Sequence, residues 1–73
     1  MIAYPNPASD VLLVQGAHVV NGARYSVLSI AGKELVSGTL RDGRVDISSL
    51  TSGVYLLQVD TDGSTGRQRF VKQ

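Results

Sequence analysis

The sequence predicts an all-β chain folded as a sandwich of about seven short, mostly antiparallel strands. Three observations predict it. Apolar residues recur with period two along nearly every segment, and no stretch holds helical spacing over about 11 residues. Turn chemistry interrupts the chain roughly every 8–12 residues, as in a β-sandwich: Pro5-Asn6-Pro7, Asn21-Gly22, Ala31-Gly32, Asp42-Gly43 and Asp62-Gly63. Some segments are apolar on both sides, so one flat sheet would leave a greasy face in water. Two packed layers remove that face.

Each element has its local reason. Ile2 to Tyr4 is a short extended segment stopped by Pro5-Asn6-Pro7, since each proline fixes its own φ and pushes Tyr4 or Asn6 into extended geometry. Asp10 to Gln15 reads as a strand buried on both faces, because Val11, Leu12, Leu13 and Val14 leave no polar side. Gly16 to Gly22 is a loop. Arg24 to Ile30 follows, with Tyr25 and Val27 on one face and Leu28 and Ile30 on the other. That change of face at Val27-Leu28 predicts a bulge.

Ala31-Gly32 turns the chain into a hairpin partner, Lys33 to Leu40, and Asp42-Gly43 signals a second hairpin before Val45. Val45 and Ile47 give the next short strand one dry face, and Ser48 to Ser52 is a connecting turn plugged by Leu50. The strongest strand is Val54 to Thr61, opened by Gly53, with Tyr55, Leu57 and Val59 on one side. Arg67 to Lys72 is the last, with Phe70 and Val71 as its apolar content.

Leu50-Thr51-Ser52-Gly53-Val54-Tyr55 has the pattern of a tyrosine corner, a loop crossing between sheets followed by a tyrosine at the start of the next strand. Its ring fills the sandwich end, its hydroxyl bonds the loop backbone upstream, and Gly53 supplies the tight or positive-φ geometry.

Composition excludes most chemistry. The chain has 73 residues, no cysteine and a single histidine, His18. That leaves no disulfide framework, no thiolate metal site and no partner for a histidine triad or a two-histidine metal site. Asp60-Thr61-Asp62-Gly63 resembles the start of a calcium loop but lacks the later oxygen ligands and the glutamate at the twelfth position. The Ser48, Ser49, Thr51 and Ser52 hydroxyls have no base placed beside them. No catalytic residue, cofactor or metal is expected.

Four-residue apolar runs such as Val11–Val14 fall far short of the roughly 20 residues of a membrane span, and no signal-peptide pattern opens the chain. Net charge is +1, while the last seven residues carry Arg67, Arg69 and Lys72 with no acid. Three cations are too few for a nucleic-acid face, but they suit a terminal edge strand.

Three stretches in register resemble a known family. Tyr4-Pro5-Asn6-Pro7-Ala8-Ser9-Asp10-Val11-Leu12 is similar to the Y-P-N-P-x-x-D opening of the C-terminal sorting domains of type IX secretion in Bacteroidetes. Tyr25 to Lys33 matches that family's strand, small-residue turn, Gly32 and lysine. Asp46 to Leu50, Gly53-Val54-Tyr55-Leu56-Leu57-Gln58-Val59 and the final Arg69-Phe70-Val71-Lys72-Gln73 match its L-x-x-G-x-Y-x-L-x-V block and basic terminus.

The resemblance implies an immunoglobulin-like sandwich, residues 1–73, at the end of a larger exported cargo, with no cofactor. It further implies an address read by the outer-membrane translocon, then removal by a surface sortase-like peptidase. Arg69, Phe70, Val71 and Lys72 are the expected translocon-recognition residues, on a terminal edge whose unpaired backbone suits strand addition; the other reading of these residues is purely structural, with Phe70 closing the core. Pro5, Asn6, Pro7, Asp10, Gly32, Leu50, Gly53 and Tyr55 are expected to serve structure, with the Asp10 carboxylate bonding amides of the proline arm. A recognition role for the arm is a second reading, because rigid proline segments bind at low entropic cost.

An isolated sandwich with a free terminal strand also risks dimerising through its edges. The other function class is a generic immunoglobulin- or fibronectin-like adhesion module for protein or carbohydrate. An aromatic content of 5% with no tryptophan counts against a sugar-stacking platform.

Overall fold

The computed structural model describes residues 1–16, 21–61 and 63–73. His18 of the Gly16–Gly22 loop and Asp62 of the last turn lie outside the described residues. Seven strands form among the described residues: β1 Ile2–Tyr4, β2 Val11–Gln15, β3 Arg24–Ser29, β4 Glu34–Thr39, β5 Arg44–Asp46, β6 Gly53–Thr61 and β7 Ser64–Lys72. They divide into a three-stranded sheet ordered β1-β2-β5 and a four-stranded sheet ordered β4-β3-β6-β7, with every strand pair antiparallel.

Period-two alternation sets the core. The small sheet sends in Ala3, Leu12, Val14 and Val45, and the large one sends in Val27, Tyr55, Leu57, Val59 and Phe70. Leu40 and Ile47, just beyond strand ends, are fully buried between the sheets. Burying side chains of this kind contributes about 1.5–3 kcal/mol each, the main force holding so small a domain together.

Several expectations hold with detail added, and two need correction. The register of β3 against β4 shifts between Val27 and Leu28, where the sequence changes face. Gly32, at φ 92°, closes the following turn with its amide donating to the Ser29 carbonyl at 2.9 Å. The double-sided burial expected of β2 does not occur. Leu12 and Val14 are buried, while Val11 is 39% exposed and Leu13 half-buried, because among the described residues no layer covers the outer face of the small sheet.

The Asp42-Gly43 turn also differs from a simple hairpin. Asp42 and Gly43 both have positive φ, at 55° and 65°, and the Arg44 amide closes the turn onto the Arg41 carbonyl at 3.1 Å. Its flanks then part, β4 in the large sheet and β5 in the small one. Leu40, drawn into the core beside the turn, makes this a corner between layers.

The tyrosine corner forms. Leu50 packs against the core, its amide donating to the Ile47 carbonyl at 3.1 Å, and the Tyr55 hydroxyl donates to the Thr51 carbonyl. Gly53 opens β6 at φ 158°, close to extended backbone.

Candidate recognition surface on the C-terminal strand

β7 pairs with β6 along its whole length, from Thr61↔Ser64 to Gly53↔Lys72. Alternation then splits the four expected recognition residues. Phe70 is fully buried and stacks on Tyr55, ring centroids 5.8 Å apart at 30°. Lys72 also points inward and is 9% exposed, its Nζ donating to the Gln73 carbonyl at 3.0 Å. Such a long side chain buries its methylene stem while its ammonium reaches a polar atom. Arg69 and Val71 point outward, Arg69 exposed and Val71 38% exposed.

The strand's outer edge is not uniformly open. The proline arm lies across its last residues: the Ala8 amide donates to the Val71 carbonyl at 2.8 Å, and the Gln73 amide donates to the Ala8 carbonyl at 2.7 Å. This makes a short parallel bridge between Ala8 and Lys72. Asn6 completes the strap, its Oδ1 accepting the Val71 amide at 2.9 Å. The expectation of an unpaired terminal edge is therefore corrected for Val71 to Gln73, where backbone groups must be paired once the arm excludes water from them.

Asp10 also departs from expectation. No described hydrogen bond involves its carboxylate, and its main-chain carbonyl accepts the Ile47 amide at 2.9 Å instead. Asn6 takes the role expected of Asp10, reaching β7 rather than the arm itself. Pro5 and Pro7 frame it, and both the Tyr4-Pro5 and Asn6-Pro7 peptide bonds are cis.

Gln68 was not anticipated. Its side chain points toward the small sheet, where Oε1 accepts the Ala3 amide at 3.0 Å and Nε2 donates to the Ala3 carbonyl at 3.2 Å. The carboxamide thus stands in for a neighbouring strand beside β1. The available signal was parity, since Gln68 shares a strand face with Phe70 and so had to be an inward polar group needing partners. Ala8 carried no such signal.

The outward face of β7 shows Thr65, Arg67, Arg69 and Val71 beside Asp60, Gln58, Leu56 and Val54 of β6. Arg67 Nε donates to Gln58 Oε1 at 2.7 Å, and Thr65 Oγ1 donates to Asp60 Oδ1 at 2.8 Å. With Lys72 turned inward, Arg67 and Arg69 are the cations that β7 offers a partner. The seam between β4 and β5, away from this strand, is more open: a cleft of about 560 Å³ lined by Tyr25, Thr39, Arg41, Arg44, Asp10 and Asp46 among others.

Fold and surface together define a small sandwich module whose terminal strand is anchored by its inner residues and displays its outer ones. Residues 2–73 match the family described as the secretion system C-terminal sorting domain, and the chain belongs to that family, the sorting signals of type IX secretion. Beta-agarase D of Zobellia galactanivorans is 32% identical over 69 residues, a match covering 93% of this chain and 14% of the agarase. The domain is of a non-catalytic signal family, and its presence marks a protein for export to the cell surface or beyond.

Proposed function

We propose that the chain is the terminal address of a larger cargo protein, read by the outer-membrane type IX translocon and afterwards removed by a surface sortase-like peptidase. The family match carries the reading. The similarity to 14% of an agarase supports it, since a segment like this one forms a small part of a much longer protein. A cargo that works outside the cell, as an enzyme or otherwise, fits such an address.

Within the domain, Arg69 and Val71 are the recognition contacts, while Phe70 and Lys72 hold the strand in place for them. Burial supports this split: a folded domain offers a partner the first pair and withholds the second. Pro5, Asn6 and Pro7 act on recognition through the strap they form over the last residues. Truncating the final strand would confound address with stability, because losing a fully buried phenylalanine costs about 3–5 kcal/mol. That is a large part of what a small domain has.

The test uses an intact domain. A reporter with its own inner-membrane export signal is fused ahead of residue 1 and expressed in a cell with type IX secretion. It should appear outside the outer membrane with the chain attached and remain periplasmic without it. A fused reporter that stays in the periplasm while the domain is folded refutes the proposal.

A further inference from the structure

We infer that the edge of β7 from Thr65 to Arg69 is a strand-addition site for an extended acidic segment of another protein. This rests on the sorting reading for the identity of the partner's owner, but the site itself follows from the geometry. The Val71 and Gln73 amides point away from β6, since they are bonded by Asn6 and by Ala8. Antiparallel alternation directs the N–H and C=O groups of Thr65, Arg67 and Arg69 the same way. Among the described residues no hydrogen bond reaches those groups from the outer side. The strap ends the open window at Val71, so its length is set at both ends, by the turn before Ser64 and by Asn6.

The backbone of the window asks for an extended polypeptide, and its side chains say which one. Arg67 and Arg69 stand on one face of the strand, two residues apart. Arg67 Nε is held by Gln58, which lays the side chain across the sheet and leaves its terminal nitrogens for a further acceptor. A strand added here sets its own alternate residues directly opposite the arginines, where carboxylates are favourable and cations are not.

A second copy of this chain is disfavoured as the occupant, because two β7 edges brought together would set arginine beside arginine. The competing edges are poorer hosts. Glu34 sits on β4, β5 is three residues long, and Ala3 of β1 is already taken by Gln68.

The test is an NMR titration of the ¹⁵N-labelled chain with an end-blocked peptide of alternating glutamate and valine, and in parallel with a lysine–valine peptide of equal length. The glutamate peptide should shift the Thr65, Arg67 and Arg69 amides and slow their hydrogen exchange, leave the β4 amides unmoved, and weaken as salt is added. Arg67→Glu/Arg69→Glu should weaken it about tenfold, two cross-strand charge pairs having turned repulsive. Arg67→Ser/Arg69→Ser serves in its place should the reversal unfold the domain. No change at these amides, protection at another edge, or equal binding of the lysine peptide overturns the inference.

The reporter fusion separates the two claims. If the unmodified chain exports its reporter and a folded Arg67→Glu/Arg69→Glu chain does so equally well, the chain is still an address, but neither the strand-addition site nor Arg69 has a part in its recognition. If the unmodified fusion is not exported, the sorting reading fails, and the titration still decides whether the edge accepts an acidic strand.

Discussion

Taking one oxygen atom from Tyr55 probes whether the corner before β6 holds the sandwich end. In Tyr55→Phe the ring stays packed on Phe70, 5.8 Å away, so the change isolates the hydroxyl. That hydroxyl donates to the Thr51 carbonyl and lies 3.2 Å from Thr51 Oγ1, on a residue 8% exposed. Water has little access to restore what is lost, so the cost should approach the upper part of the usual range, about 1–1.5 kcal/mol. With a urea slope of about 1 kcal/mol per molar for a small domain, the midpoint should fall by roughly 1 M. In thermal melts the fall should be about 4–8 °C per kcal/mol. Tyr4→Phe is the matched control. Its hydroxyl accepts from Gln15 Nε2 at 3.1 Å on an exposed face, so its loss should stay within about 0.5 kcal/mol. An unchanged midpoint for Tyr55→Phe, or equal shifts in the two variants, would refute the corner.

Other perturbations reach different parts of the account. Gln68→Ala should destabilise by about 1–2 kcal/mol, two part-buried hydrogen bonds being lost, and should speed hydrogen exchange at the Ala3 amide. Asn6→Ala should speed exchange at the Val71 amide while leaving Phe70, bonded on the β6 side, slow until global unfolding. Gly38→Ala places a Cβ 2.9 Å from the Tyr25 hydroxyl oxygen, directly across the strand pair, so the ring must move and its NMR signals shift, with about 1–3 kcal/mol lost.

The Asp46 carboxylate accepts the Ser48 amide at 2.9 Å and the Ser48 hydroxyl at 2.7 Å, and these bonds hold its pKa below the ordinary 3.8. Its contribution to stability is therefore present above 3.8 and is lost as pH falls through the lower folded value. Asp46→Asn should remove that share of the acid dependence, as followed by urea midpoints across the acidic range.

Much of this molecule is legible from its residues because a thin sandwich is governed by parity. Tyr55, Leu57 and Val59 announce an inner face, and the bulge at Val27-Leu28 is visible as a change of phase. Parity fails where a run overrules it: four consecutive apolar residues in β2 read as double-sided, yet among the described residues the outer sheet face has no neighbour to bury Val11. The same parity turns Lys72 and Gln68 inward beside Phe70, which the structural reading of the last strand already puts in the core. The Asp42-Gly43 signal located a turn correctly but could not say that its two flanks join different sheets, which depends on long-range pairing of β5 with β2. The strap is of the same kind. Residues 6 and 71 stand 65 positions apart, and no local pattern links them.

The most direct measurement is the exported fraction of a reporter fused to the chain carrying Arg69→Ser and Val71→Ser, chosen because both side chains leave the core untouched. With its unfolding midpoint at the parent value, this variant should strand most of the reporter in the periplasm. Export at the parent level from the same folded variant would contradict the claim that the outward side of the last strand is the address.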